Sequence, residues 1–187
     1  MIKSYIHQQD HNLVSTGSDD GHQLFFMENQ YYKGLPKKRM GVGALFFNDK
    51  DELLILKPTY KDYWSIPGGI IDANESPREA CIREIKKEIG LNISDVRFLC
   101  VDYYRNLGNE KGESLQFMFY GGILSESQIS NIKIPREEIG GYKFMHIENV
   151  LPLFSNGLQK RMPKCLEAIK SKISFYLEDA ETPKSQS

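Results

Sequence analysis

Residues 68–91 constrain the fold more than any other part of this sequence, because they mark both ends of a single helix. Ser76 is a good N-cap, Pro77 suits the first helical position, and Glu79 follows the serine by three residues, which completes a capping box. Gly90 supplies a left-handed stop. The spacing therefore predicts a helix between Ser76 and Gly90.

This helix has two chemically different faces when it is drawn at about 100° per residue. One face is apolar and can pack against a core; it carries Cys81, Ile82, Ile85 and Ile89. The opposite face is small or charged; it carries Ala80, Glu84, Lys87 and Glu88.

The charged face indicates metal binding. Glu84 and Glu88 are one turn apart, so their carboxylates can converge on one point, and the small Ala80 leaves room there for a ligand. Two carboxylates and water suit Mg²⁺ or Mn²⁺, with substrate phosphate oxygens completing the coordination shell. A solvated helix face is the alternative, because this glutamate spacing alone is common on surface helices.

The stretch resembles the box of the Nudix hydrolase family, G-x5-E-x7-R-E-U-x-E-E-x-G-U, in which U is aliphatic. The matching residues are Gly69, Glu75, Arg83, Glu84, Ile85, Glu88, Gly90 and Leu91. The preceding segment, Trp-Ser-Ile-Pro-Gly-Gly at 64–69, is similar to the family's usual lead-in. One position departs from the pattern: Lys87 stands where the family places the first glutamate of its paired glutamates, usually a metal ligand.

The resemblance implies an α/β fold, a Nudix-type α/β/α sandwich with a mixed sheet. The order of elements agrees, since strands before and after a central helix, with another helix near the end, favour a sheet covered on both faces. We expect an N-terminal extension at 1–36, a Nudix domain at 37–178 and a frayed polar tail at 179–187.

Several elements of that domain are visible as short apolar runs or as helical periodicity. A hairpin is predicted from 42–47 and 53–56, joined by a polar turn. Further strands are expected at 96–104 and 114–124, a loop leading into a strand at 134–144, and a long helix at 163–177.

The resemblance also implies an activity, the hydrolysis of a pyrophosphate bond in a nucleoside diphosphate linked to another group. Glu84, Glu88 and Glu138 are the expected metal ligands and catalytic residues, and either Glu138 or Glu84 is the expected base. Glu138 is preferred to its neighbour Glu137 because its spacing to the following strand is closer to the family's pattern. Arg83 is expected to pair with Glu75.

Substrate contacts are predicted at several other positions. Gly68 and Gly69 lack side chains, so the backbone there can approach a phosphate. Tyr103 and Gln116 lie on the two strands that follow the helix, and Arg105 begins the polar loop that joins them. Each is a candidate to contact substrate or to serve only a structural role. Lys87 is a further candidate, because a lysine can contact a phosphate.

Lys87 supports a second interpretation, a catalytically weak, nucleotide-binding regulatory module with a Nudix fold. A positive charge about 4 Å from a metal ion costs on the order of 4 kcal/mol at an effective dielectric of 20. The flexible lysine stem could instead carry its ammonium to solvent or to a phosphate.

Composition limits the partners and the compartment. A formal net charge of −1 gives no sign of nucleic-acid binding, so a small nucleotide-like substrate is expected. Three widely spaced cysteines indicate neither a disulfide framework nor a zinc site. With no signal peptide or membrane span recognised, we expect a cytoplasmic protein that does not bind membranes. Apolar residues within 1–36 leave homodimerisation open.

Overall fold

The computed structural model describes residues 31–105 and 112–183. Contacts divide the chain into two compact units, Met1–Lys37 and Lys38–Ser187. Most of the predicted N-terminal extension therefore lies outside the described residues, and so do residues 106–111 of the polar loop between the strands predicted at 96–104 and 114–124. All elements discussed below belong to the second unit.

The strands of this unit form one seven-stranded mixed sheet across the described ranges. The strands are β1 (Arg39–Phe47), β2 (Leu53–Pro58), β3 (Gly68–Ile70), β4 (Arg97–Tyr104), β5 (Ser114–Ile123), β6 (Ile139–Met145) and β7 (Phe175–Glu178). The helices are α1 (Pro77–Ile89), α2 (Glu126–Ser130), α3 (Ile147–Val150) with a 3₁₀ turn at Leu151–Leu153, and α4 (Asn156–Ser171).

The order across the sheet is β6-β2-β1-β5-β4-β7, with β3 paired to β1 outside this path. β1 runs parallel to β5 and β4 runs parallel to β7, whereas the other pairs are antiparallel. The predicted mixed sheet is confirmed, and so are the hairpin of β1 and β2 and the strands on either side of residues 105–113.

Two helices cover opposite faces of the sheet, which confirms the α/β/α sandwich. Alternation along β1 separates the faces, because Ala44 and Phe46 pack on the side of α1 while Leu45 packs on the side of α4. On the first face, α1 contributes the fully buried Ile85 and Ile89. Removing such a side chain costs roughly 2–5 kcal/mol, so α1 is held rigidly to the sheet.

The turn between β1 and β2 shows how local chemistry fixes this hairpin. Oδ1 of Asn48 accepts hydrogen bonds from the backbone N–H groups of Lys50 at 3.0 Å and Glu52 at 2.9 Å. Asp51 takes a positive φ of 58°, which aspartate tolerates better than most residues. The polar turn places β2, and through it β6, at a fixed register.

The predicted helix at 163–177 is wrong in its bounds. Helix α4 begins at Asn156, contains Pro163 in its interior and ends at the left-handed Lys172. Residues 175–178 form β7, whose Leu177 is fully buried beside β4. The periodicity misled because the apolar residues of β7 continue the helical spacing of α4, and because Pro163 suggested a helix start.

Residues after β7 contact the sheet. The backbone N–H of Asp179 donates to the carbonyl of Tyr103 at 2.9 Å, and the N–H of Ala180 donates to Oδ1 of Asp102 at 2.9 Å. The first residues of the segment predicted as a frayed tail are thus bonded to β4. Among the described helices, none combines the length and apolar character required to cross a bilayer.

Candidate active site

The site begins with the end structures of α1, which the sequence predicted correctly. The Ser76 side chain accepts from the N–H of Glu79, and the Glu79 carboxylate accepts from the N–H of Ser76 at 2.9 Å. Gly90 ends the helix with a φ of 74°. These caps fix the start and the rotation of α1, and therefore the direction in which Glu84 and Glu88 point.

Glu84 and Glu88 are buried beneath β3, with exposed fractions of only 6% and 8%. The N–H of Gly68 donates to Oε2 of Glu88 at 2.8 Å. At Gly69, a Cβ atom would stand 2.6 Å from Cδ of Glu84, which is closer than real Cβ contacts. Gly69 is thus required by the carboxylate packed under it, whereas a Cβ at Gly68 would stand 2.2 Å from the carbonyl oxygen of Val42. The alternative of a solvated helix face does not hold for Glu84 and Glu88.

Burial has an electrostatic consequence at Glu88. Desolvation raises the pKa of Glu88 to about 7, and the nearby charge of Glu84 adds to the effect, while the Gly68 hydrogen bond opposes it. A carboxylate in this position is poorly compensated by the protein itself. A cation placed beside it would be favourable.

Arg83 connects the helix to the loop that precedes it. Its Nε and Nη2 donate to the two oxygens of Glu75 at 2.7 and 2.8 Å, which confirms the expected pair. This contact holds the pKa of Glu75 at about 2. Arg83 also donates to the carbonyl of Ile70 at 3.0 Å and to Oε1 of Glu84. One guanidinium therefore fixes β3, the loop and a site carboxylate together.

Lys87 lies at the edge of this cluster, and its ammonium binds Glu138 from the loop before β6. Its Nζ is 2.8 Å from Oε2 of Glu138 and 4.0 Å from Oε2 of Glu84. The hydrogen bond to Glu138 raises the pKa of Lys87 above its ordinary value. The lysine side chain remains about half exposed. Lys87 thus stands between the two elements that carry the predicted metal ligands.

The described part of the chain contains no group of three or more histidine, cysteine, aspartate or glutamate side chains arranged to hold a metal ion. The expected trio is divided, because Glu138 is bound to Lys87. Glu84 and Glu88 alone still suit a hard divalent cation, because they are buried oxygen donors one turn apart. The burial of Glu88 is only partly offset by the Gly68 hydrogen bond and the charge of Lys87. The structure therefore fits an ion held by two glutamates, with other oxygens completing its shell.

The remaining predicted contacts lie elsewhere. Arg105 donates through its backbone N–H and its Nε to the carboxylate of Asp179, at 2.9 and 2.5 Å. The ring of Tyr103 has the ammonium of Lys38 at 5.4 Å from its centroid. Gln116 packs against Gly41 on the face of α4. The structure does not place these three in contact with Glu84 or Glu88.

One positioning residue was missed from the sequence. The N–H of Thr59 donates to the carbonyl of Glu138 at 2.9 Å, and its hydroxyl donates to the carbonyl of Glu137 at 2.9 Å. Thr59 follows β2 directly and so holds the loop before β6, where Glu138 is located. No short-range pattern indicates this contact, since the two segments are 79 residues apart.

Comparison with known proteins supports the expected family. A model of the NUDIX domain matches residues 37–166. An RNA pyrophosphohydrolase of Hydrogenovibrio crunogenus is 43% identical over 61 residues, which cover 33% of this chain and 37% of that protein. The chain therefore matches well under half of that relative's length.

Two solved structures share the fold. The NUDIX domain of Shewanella oneidensis NrtR, complexed with ADP ribose, has a TM-score of 0.62 at 17% identity, covering 79% of this chain and 98% of that domain. The MutT protein from Methanosarcina mazei Go1 has a TM-score of 0.58 at 20% identity, covering 74% of this chain and 99% of that protein. The chain belongs to the Nudix family, whose members generally use divalent metal ions.

Proposed function

We propose that this protein is a Nudix pyrophosphohydrolase that cleaves a pyrophosphate bond in a nucleoside diphosphate linked to another group, with Mg²⁺ or Mn²⁺ as cofactor. The observation that carries this proposal is the pair Glu84 and Glu88, buried one turn apart beneath two glycines, with the charge of Glu88 only partly compensated by the protein. Burying two carboxylates together is unfavourable for a fold unless a cation joins them. The match to curated relatives is only partial, so the activity is inferred from the family and from this site.

Glu84 and Glu88 would hold the ion, and a bound divalent ion would supply neutralisation of phosphate charge and acidification of a water. Arg83 keeps the Glu84 carboxylate in place, and the Gly68 N–H keeps that of Glu88 in place. Neither contact depends on a substrate. The pair is therefore preorganised, which is where most electrostatic catalysis originates.

Hydrolysis forms a bond from a water oxygen to one phosphorus and breaks the bond from that phosphorus to the bridging oxygen, which leaves as part of the other phosphate. The water proton passes to a carboxylate oxygen, which we assign to Glu138, with Glu84 as the other candidate. Glu138 is on the exposed side of the cluster and is held by Lys87 and, through its backbone, by Thr59. A base within reach of solvent suits proton removal from water.

The second candidate function is that of a nucleotide-binding regulatory module with weak catalytic activity. The observation in its favour is the ammonium of Lys87, which lies 2.8 Å from one expected ligand and 4.0 Å from another. An ion pair between Lys87 and Glu138 leaves one fewer carboxylate for the metal.

A substrate panel separates the two functions. The protein is incubated with nucleoside diphosphate conjugates and Mg²⁺ or Mn²⁺, and released monophosphate is measured beside equilibrium binding. Turnover that Glu84→Gln abolishes supports the hydrolase. Nucleotide binding without turnover, unchanged in that variant, supports the regulatory module.

We also propose a cytoplasmic location and a homodimer. Three free, buried cysteines agree with a reducing compartment such as the cytoplasm. A homodimer formed through residues 1–36 would be tested by sedimentation of a chain lacking them, with a shift toward monomer expected.

A further inference from the structure

The loop between β2 and β3 presents an aromatic and basic surface whose role is unassigned. Tyr60 is 67% exposed and Tyr63 is 37% exposed. The ammonium of Lys61 lies 4.9 Å from the ring centroid of Tyr60 and 5.7 Å from that of Tyr63. We call these three side chains the Tyr60 platform. Single exposed aromatic residues are normal on proteins, but two that share one lysine combine aromatic rings with a positive charge.

The loop is held firmly at both ends, so the platform is preorganised. At its start, Thr59 donates two hydrogen bonds to the loop before β6. At its end, the N–H of Trp64 donates to the carbonyl of Leu153 at 2.9 Å, and Ser65 exchanges two 2.8 Å bonds with Leu56. Binding to such a surface loses little conformational entropy of the loop.

The platform is linked to the candidate active site through Thr59 and Glu138. Thr59, bonded to the backbone of Glu138, is adjacent to Tyr60 in the chain, and neighbouring Cα atoms are about 3.8 Å apart. The Glu138 side chain in turn contacts Lys87, on the same helix as Glu84 and Glu88. A ligand with a phosphate end at the glutamates and a flat end on the platform needs to cross only this short chain of contacts.

We propose that the Tyr60 platform binds the nucleobase of the substrate by stacking on Tyr60, while Lys61 attracts its phosphate. This rests on the proposed function, because it names the part of the nucleotide that the carboxylate cluster does not hold. Stacking of a base on an aromatic side chain tolerates different bases, so the platform selects nucleotides over base-free phosphates more than one base over another. The base could belong to a small nucleotide or to the first nucleotide of an RNA chain.

The test measures binding without turnover. AMP and ribose 5-phosphate share the phosphate and differ in the base, and neither contains a pyrophosphate bond. Trp64 is the sole tryptophan of the sequence and ends the loop, so its fluorescence reports occupancy. Affinities are measured with Mg²⁺ for wild type, Tyr60→Leu, Tyr60→Phe and Tyr176→Leu; Tyr176 is a half-exposed tyrosine of β7, at the opposite edge of the sheet.

Wild type should bind AMP more tightly than ribose 5-phosphate. Tyr60→Leu should weaken AMP binding about 5- to 100-fold and leave ribose 5-phosphate unchanged, whereas Tyr60→Phe and Tyr176→Leu should bind AMP as wild type does. A short RNA with a 5′ monophosphate forms the second arm. If this RNA binds more tightly than AMP and the difference is lost in Tyr60→Leu, the occupant is the end of an RNA chain. If the RNA and AMP bind equally, the occupant is a small nucleotide.

Equal affinity of wild type for AMP and ribose 5-phosphate would overturn the proposal, as would unchanged AMP binding in Tyr60→Leu. Failure of the proposed function gives a different result, since release of monophosphate from nucleotide conjugates is assayed separately. Binding of AMP that depends on Tyr60, with no turnover of any conjugate, would leave the platform standing and reject the hydrolase.

Discussion

The two faces of the sheet both bury charge, but they compensate it differently. On the face of α4, the fully buried Asp102 accepts from Arg161 at 2.6 and 2.8 Å and from the N–H of Ala180 at 2.9 Å. On the face of α1, Glu84 and Glu88 are buried together, and Lys87 is partly in solvent. A buried carboxylate paired within the fold serves stability, whereas two buried carboxylates that share one arginine, with Glu88 only partly compensated, favour binding a cation. The contrast separates a structural ion pair from a candidate active site.

The largest effect is expected from breaking the ion pair on the α4 face. Asp102→Asn keeps the side-chain shape but leaves Arg161 as an unpaired buried charge, which should lower the free energy of unfolding by roughly 3–5 kcal/mol. Urea denaturation measures the loss. The double variant Asp102→Asn/Arg161→Met removes the orphaned charge and should recover much of the stability. A single variant as stable as wild type would contradict the assignment of this pair to stability.

On the α1 face, removing a charge should affect activity instead. Glu88→Gln retains an acceptor for the Gly68 N–H but removes a proposed ligand, so kcat/KM on the best substrate should fall about 100- to 1,000-fold. Calorimetry should show weaker Mg²⁺ or Mn²⁺ binding in the same variant, and Glu84→Gln should behave alike. Glu79→Gln, in the exposed capping box, is the matched control that should retain full metal affinity. Unchanged metal affinity in both site variants would reject the site.

Glu88→Gln should also stabilise the metal-free protein, which would sharpen the contrast between the α1 face and the α4 face. The pKa of Glu88 is raised from 4.5 to about 7, so between these values the folded state binds more protons than the unfolded state. Stability from this group therefore falls as pH rises from 4.5 to 7. With EDTA present, Glu88→Gln should gain on the order of 2 kcal/mol over wild type at pH 8 and little at pH 4.5. Urea titrations at both pH values measure the difference, and an equal gain at both would count against it.

The smallest effect is expected at Lys87. Lys87→Glu places a carboxylate beside Glu84 and should tighten Mg²⁺ or Mn²⁺ binding by about tenfold, a value reduced by the exposure of the side chain. The rate should rise at low metal concentration and converge with wild type at saturation. Lys86→Glu makes the same charge change at the neighbouring exposed position and should have much less effect. A Lys87→Glu rate below wild type at every metal concentration would instead show that the lysine contacts a substrate phosphate.

Much of the fold followed from local chemistry in the sequence. The capping box at Ser76 and the stop at Gly90 located α1, since both act within a few residues. Short apolar runs located β1, β2, β4 and β5. The end of α4 did not follow, because the pairing of β7 with β4 depends on residues about 75 positions apart. The spacing of apolar residues near the end of α4 cannot show that the following residues pair with a distant strand.

At the site, the sequence by itself determined which functional groups are present. They are two glutamates one turn apart, Arg83 at a spacing that allows it to pair with Glu75, and two glycines before the helix. Helical geometry and the family pattern act at short range, so these relations can be read along the chain. Tertiary structure alone decided that the carboxylates are buried, that Lys87 binds Glu138, and that Arg105 binds Asp179. Burial and ion pairing depend on which distant segments meet, and desolvation changes the charge balance of a glutamate far more than its sequence neighbours do.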